Sequence, residues 1–106
     1  MRENQAADGL SALGNRTRLR LFRLLVKAGD TGLNVGDIQK RIEAPPSTLA
    51  HHLTTLARSG LVIQERRSRE IISRVDYGAM RDLTNYLTEE CCAGIDIEIP
   101  GDADAA

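Results

Sequence analysis

Two adjacent prolines in the middle of the chain, Pro45 and Pro46, constrain its fold more than any other feature. They separate two short helical segments, because proline interrupts a helix interior but is favoured at the first helical position. Asn34 is a suitable cap for the segment before them, and Gly60 ends the segment after them at about Ser59. The sequence therefore predicts two short helices joined by a tight turn, a helix-turn-helix.

A β-hairpin is predicted directly after this helix pair. Two β-prone runs, 61–63 and 71–73, flank the polar stretch 65–70, which contains three arginines. Apolar residues at helical spacing predict three further helices, at 5–13, 16–28 and 77–92. The chain is thus expected to be mainly α with a small β-hairpin, the order of a winged helix-turn-helix.

The charge of the chain is divided unevenly along its length. Residues 1–74 hold 13 Lys and Arg against 7 Asp and Glu, whereas residues 75–106 hold 1 against 8. A basic body indicates an anionic partner for that part alone. We expect one domain over residues 1–95 and an acidic, disordered tail over residues 96–106. With no apolar run of about 20 residues and no signal-peptide pattern, we expect a cytoplasmic protein with no membrane association.

The helix after Pro46 has two chemically different faces. Leu49, His52, Leu53 and Leu56 are spaced to face the core, and His52 is expected to pack or hydrogen-bond there. Short polar side chains on the opposite face could approach base edges, and the hairpin arginines could contact phosphates, although both sets could also be ordinary solvated surface. The expected DNA-binding residues are Ser47, Thr48, His51, Thr55, Arg58, Arg66, Arg67 and Arg69.

Three segments, 13–25, 47–53 and 56–62, resemble the ArsR/SmtB family of dimeric metalloregulators, and the resemblance extends over about residues 8–94. It implies a homodimeric repressor that releases double-stranded operator DNA when an inducer binds. It also implies a dimer interface built from the first and last helices. The apolar stripes of those helices supply the expected interface residues Leu10, Leu13, Met80, Leu83 and Leu87. The chain departs from the family at Arg16, usually proline, and at Ser68, often glycine.

The inducer site that this resemblance implies is the vicinal pair Cys91 and Cys92. The third helix has no cysteine and the fifth has no histidine, so two other inducer sites of the family are not supported. The fifth helix resembles that of an arsenite-responsive subgroup, in which a third cysteine stands where this chain has Glu98. Soft thiolates select soft ions, so trivalent arsenic or antimony is the expected inducer. Adjacent helical side chains diverge, so joint ligation should distort the last helical turn.

Other functions stay open on the sequence alone. The thiols could sense oxidants or reactive sulfur species, or they could be two buried free cysteines in a winged-helix protein without a metal inducer. A winged-helix protein that binds a protein partner is a further alternative, against which the basic hairpin argues mildly. An enzyme is not expected, because both thiols follow two glutamates at a helix C-terminus, a poor setting for a thiolate nucleophile. No permanent cofactor is expected.

Overall fold

The computed structural model describes residues 1–96, and it contains the predicted helices and hairpin. The elements in chain order are α1 (Glu3–Leu13), α2 (Arg16–Ala28), a 3₁₀ turn (Gly29–Thr31), α3 (Val35–Gln39), α4 (Pro46–Arg58), β1 (Val62–Arg67), β2 (Glu70–Val75) and α5 (Tyr77–Thr88). The strands pair antiparallel, with Val62 opposite Val75 and Arg67 opposite Glu70. The expected fold class, mainly α with a small β-hairpin in winged helix-turn-helix order, is confirmed. No helix among the described residues is long and apolar enough to cross a membrane.

Local capping chemistry explains where the helices start. The Asn15 side chain accepts a hydrogen bond from the Arg18 amide (3.0 Å), and the Asn34 side chain accepts one from the Asp37 amide (2.8 Å). Each bond satisfies a backbone donor that has no partner within its own helix. Pro46 is the first residue of α4, where its missing amide hydrogen costs nothing. The predicted starts of α2, α3 and α4 are thereby confirmed.

The core lies where α2 and α4 cross beneath α1 and the hairpin. Its fully buried side chains are mostly branched aliphatics, as expected of a chain with only 3% aromatic residues. Burial of side chains of this kind stabilises the fold by about 1.5–3 kcal/mol each relative to exposure. The largest of them are Leu21, Leu25, Ile38, Leu49, Leu53, Leu56, Leu61 and Val75. Helix α4 is therefore held in place by core packing along its apolar face.

A short bridge joins the hairpin to the connection between α2 and α3. The Leu33 amide donates to the Ser73 carbonyl (3.0 Å), and the Ser73 amide donates to the Leu33 carbonyl (2.9 Å). The bridge requires close approach at Gly32, where φ is +66° and a Cβ atom would lie 2.6 Å from the Ser73 carbonyl oxygen. Glycine alone accommodates both the positive φ and the contact. The hairpin is thus fixed to the helix-turn-helix.

Two predicted boundaries are wrong. The strands extend through Arg67 and from Glu70, so the expected polar loop 65–70 shrinks to the two residues Ser68 and Arg69. Ser68 adopts φ +58°, the left-handed conformation for which glycine is favoured, so serine retains the turn that glycine would make. α5 ends at Thr88, not at 92. Of the expected tail 96–106, all but Asp96 lies outside the described residues.

Candidate nucleic-acid interface and thiol pair

The outer face of α4 presents the side chains expected to read DNA. Ser47, Thr48, His51 and Arg58 are exposed, and Thr55 is partly buried. The Thr55 hydroxyl donates to the His51 carbonyl oxygen (3.1 Å). The Thr55 hydroxyl oxygen is therefore free to accept a hydrogen bond from a base or a water. The face is thus composed of short polar groups that a major groove can admit. DNA contact by each of these residues stays a prediction.

The three arginines near the tip of the hairpin differ in whether they already have partners within the protein. Arg67 is already engaged, since it forms an ion pair with Glu65 (2.9 Å) and donates to the Thr31 carbonyl (3.3 Å). Hydrogen bonds from Arg74 and Arg67 lower the pKa of the Glu65 carboxyl, so it stays ionised. Arg66 and Arg69 are exposed and, within residues 1–96, have no carboxylate partner. They are the hairpin cations that can contact phosphate without losing an internal bond.

His52 connects α4 to α2. Its Nδ1 lies 3.2 Å from Nη1 of Arg18, whose Nε donates to the Ala12 carbonyl (2.7 Å). Burial, the Arg18 charge and neighbouring His51 lower the pKa of His52, so the imidazole is neutral and Nδ1 accepts. The expected hydrogen-bonding role of His52 is confirmed. No local sequence pattern indicates Arg18, 34 residues earlier, as its partner.

The apolar faces of α1 and α5 are only partly covered by the protomer itself. Leu10 is 42% exposed and Leu87 57% exposed, whereas Leu13 and Met80 are partly buried. Leu83 differs from the expectation, because it is 4% exposed and lies against Gly9 of α1. It belongs to the protomer core and holds the two helices together. The exposed pair Leu10 and Leu87 is therefore the part of the predicted interface that is open to a partner.

Cys91 and Cys92 lie just beyond the end of α5 and are both exposed. The Cys91 amide donates to the Thr88 carbonyl (2.9 Å), and Cys92 adopts φ +64°. This left-handed residue turns the second side chain towards the first, and the two sulfurs lie 3.3 Å apart. The expectation that ligation must distort the last turn of a helix is wrong, because the pair already lies outside the helix with its sulfurs together.

The thiol pair has no third protein ligand in the described part of the chain. Among residues 1–96 no group of three or more His, Cys, Asp or Glu side chains is arranged to hold a metal ion. Within residues 1–96, an ion at this position would find two sulfur ligands, from Cys91 and Cys92. This donor set fits a soft ion with few ligands better than one that needs four.

Comparison with known proteins identifies the same fold and a family of transcriptional regulators. The family model of a helix-turn-helix domain matches residues 13–65. Transcriptional activator HlyU of Vibrio cholerae is 32% identical over 81 residues, which are 74% of this chain and 72% of that protein.

Two solved structures superpose closely on this fold. One, an ArsR-like transcriptional regulator from Rhodococcus sp. RHA1, is 23% identical with a TM-score of 0.71 and covers 81% of this chain and 78% of its own. The other, a crystal structure of a possible transcriptional regulator for arsenical resistance, is 27% identical with a TM-score of 0.66 and covers 93% of this chain and 97% of its own.

Proposed function

Because the chain belongs to the ArsR-like family of winged helix-turn-helix transcriptional regulators, which bind DNA and are not enzymes, we propose that it is a homodimeric repressor induced by trivalent arsenic or antimony. The inducer binds Cys91 and Cys92, and its binding lowers affinity for operator DNA. One observation carries the choice of inducer, namely two exposed sulfurs held 3.3 Å apart.

That separation supports a soft ion with few ligands. With metal–sulfur bonds of about 2.3 Å, sulfurs at the observed distance subtend an angle of about 92° at the ion. A tetrahedral ion such as zinc would need them about 3.8 Å apart and would need two more ligands. Trivalent arsenic and antimony form three bonds in a pyramid with angles nearer a right angle. The resemblance to a regulator described for arsenical resistance supports the same choice.

Oxidation fits the same pair less well. A disulfide between adjacent residues is strained, because their Cα atoms lie about 3.8 Å apart and those of disulfide-bonded cysteines usually lie about 4.4–6.8 Å apart. An ion between the sulfurs avoids this strain because it holds them further apart. Ligation is therefore favoured over disulfide formation, and oxidation becomes an outcome that the experiment distinguishes.

Release from DNA follows from where the pair lies. Cys91 is four residues after Leu87, the most exposed residue of the proposed dimer surface. An ion bound at the pair adds charge and bulk beside that surface, which favours a different relative placement of the two α4 helices. Couplings of this kind typically amount to about 1–3 kcal/mol, or about 5- to 150-fold in affinity. Repression follows if the dimer covers a promoter and excludes polymerase.

The test is fluorescence anisotropy on DNA from the promoter region of the protein's own gene, with titrations of arsenite, antimonite, zinc and peroxide. Arsenite and antimonite should release the wild-type protein, and zinc should not. Cys91→Ser and Cys92→Ser should each keep DNA affinity and lose arsenite release. Thr88→Ser, a similar change one turn earlier, is the matched control and should respond like wild type.

Three results would overturn the proposal. Full arsenite release of the Cys91→Ser, Cys92→Ser double variant would place the inducer elsewhere. Release of the wild type by peroxide but not by arsenite would assign the pair to oxidant sensing. Reporter expression that falls when the gene is deleted would identify an activator.

A further inference from the structure

A stripe of four cations runs along the outer side of α2. Arg16, Arg20, Arg23 and Lys27 are all exposed, and their spacing of four, three and four residues places them on one helical face. The core side of the same helix is opposite, where Leu21 and Leu25 are fully buried. Since α4 packs on the core side, the stripe faces away from the helix that reads DNA.

Within residues 1–96 the four cations have no acidic partner. In the part of the chain that the structure describes, the only ion pairs are those of Glu65 with Arg67 and Arg74. α2 itself contains no acidic residue. Like charges four residues apart on a helix destabilise it by about 0.2–0.5 kcal/mol per pair. Such a stripe indicates an anionic partner on this face.

A groove beside the stripe adds an apolar component. Its floor is formed by Phe22, which is 6% exposed, and by partly buried side chains of α2 and of the segment between α3 and α4. Its rim carries Arg20, Arg23, Lys27 and, from the same segment after α3, Arg41. The remaining floor residues are Leu24, Val26 and Ile42. A phosphate backbone uses only the cations, so the mixed lining favours a partner with both carboxylates and aliphatic side chains.

The chain's own C-terminal segment has this composition. Ile95, Ile97 and Ile99 alternate with Asp96 and Glu98, and residues 96–106 contain four acidic and no basic residues. In an extended strand such alternation places the isoleucines on one side and the carboxylates on the other. Ile95 is 78% exposed, so the described residues leave the first of these isoleucines uncovered.

We propose that residues 95–106 dock in the groove of α2, with the isoleucines against its apolar floor and the carboxylates among its rim cations. The distance permits it. The Tyr77 hydroxyl donates to the Val26 carbonyl (2.8 Å), so α5 starts at the groove end of α2. α5 is about 18 Å long, and residues 89–106 can span up to about 60 Å when extended. The segment can thus return to the groove of its own protomer or reach that of a second copy.

Paramagnetic relaxation in the full chain tests this directly. A nitroxide is attached to Ala103→Cys in a Cys91→Ser, Cys92→Ser background, and amide signals are compared with the label oxidised and reduced. The signals lost should be those of residues 20–27 and 41–42. Signal loss centred on α4 or the hairpin, or spread evenly over the surface, would overturn the proposal.

Charge reversal supplies the matched variants. Arg23→Glu with Lys27→Glu should abolish the signal loss, and Asp96→Lys with Glu98→Lys should restore it in that variant. Arg66→Glu on the hairpin is the control and should leave the pattern unchanged. Raising the salt concentration should weaken the effect, because the rim cations are exposed. Signal loss that survives reversal of both cations would contradict docking by charge.

Discussion

Nη1 of Arg18 lies 3.2 Å from Nδ1 of His52, 34 residues further along the chain, and this contact joins α2 to α4, the helix that we expect to read DNA. Because Arg18 also donates to the Ala12 carbonyl, a single guanidinium lies at the junction of α1, α2 and α4. Arginine can only donate, so the contact requires an unprotonated Nδ1 on the histidine.

Acidification should therefore weaken the fold through His52. Its folded-state pKa lies below the unfolded value of 6.5, so the unfolded chain binds the proton more readily. The stabilising contribution is complete above pH 6.5 and is lost as the pH falls through the lowered folded pKa. Urea unfolding between pH 7 and 5 should show a falling free energy of unfolding in wild type. His52→Asn, which keeps an acceptor but cannot titrate, should flatten this dependence.

The control for this experiment is His51→Asn, on the exposed face beside it. That variant leaves the Arg18–His52 contact in place, so its free energy of unfolding should keep the wild-type fall with pH. An unchanged pH dependence in His52→Asn would show that the histidine does not report on this junction.

The predicted DNA contacts should be of two kinds, sequence-specific contacts to bases and sequence-independent contacts to phosphates. His51→Ala should weaken binding to the operator by about 1–3 kcal/mol and leave non-specific binding nearly unchanged. Arg69→Ala should weaken binding to every sequence and flatten its salt dependence, because a phosphate contact releases counterions. Arg67→Ala should have the smaller effect, since its guanidinium is held by Glu65. Anisotropy titrations at several salt concentrations measure both quantities, and equal effects of Arg67→Ala and Arg69→Ala would contradict the distinction.

The dimer surface can be tested without disturbing the core. Leu87→Asp alters a side chain that is 57% exposed, so it should give a folded monomer in sedimentation experiments at micromolar concentration. Leu19→Asp, at a 45% exposed leucine of α2, should stay dimeric. Leu83→Asp is unsuitable, because it would place a carboxylate in the protomer core. A dimeric Leu87→Asp variant would refute the assignment of this face.

Two glycines allow the cost of close approach to be measured. Gly29 and Gly32 both have positive φ, but a Cβ atom at Gly29 meets nothing within 4 Å, whereas one at Gly32 meets the Ser73 carbonyl at 2.6 Å. Gly29→Ala should cost about 1–3 kcal/mol from the backbone alone, because ψ of -163° combined with a positive φ is a conformation that only glycine adopts readily. Gly32→Ala should cost about 1–3 kcal/mol more through overpacking. Chemical denaturation measures both, and equal costs would show that the bridge at Leu33 adjusts freely.

The sequence predicts best what is decided within a few residues. Asn15, Asn34 and Pro46 fix helix starts through bonds no more than three residues away, and all three were predicted correctly. The predicted strands are too short because apolar patterning marks only part of each strand. In the structure the backbone hydrogen bonds between the strands continue through polar residues as far as Arg67, because these bonds do not depend on side-chain polarity.

The site residues that sequence reasoning missed depend on distant contacts. No local pattern pairs Arg18 with His52 or places Leu83 in the core. The apolar spacing on α5 continues to Cys91, but residues 87–96 are all exposed. Their packing therefore does not stabilise the helix beyond Thr88. The α2 stripe, by contrast, could have been found from the spacing of Arg16, Arg20, Arg23 and Lys27 alone.

The paired hydrogen bonds between Leu33 and Ser73 have a mechanical consequence. They join the hairpin and the helix-turn-helix into one rigid unit, so the hairpin does not move independently of α4. In a dimer of two such units, each unit keeps its shape while the distance between the two units changes. Affinity for DNA would then depend on whether that distance matches the spacing of two successive grooves, and a change confined to the dimer interface would be enough to lower the affinity.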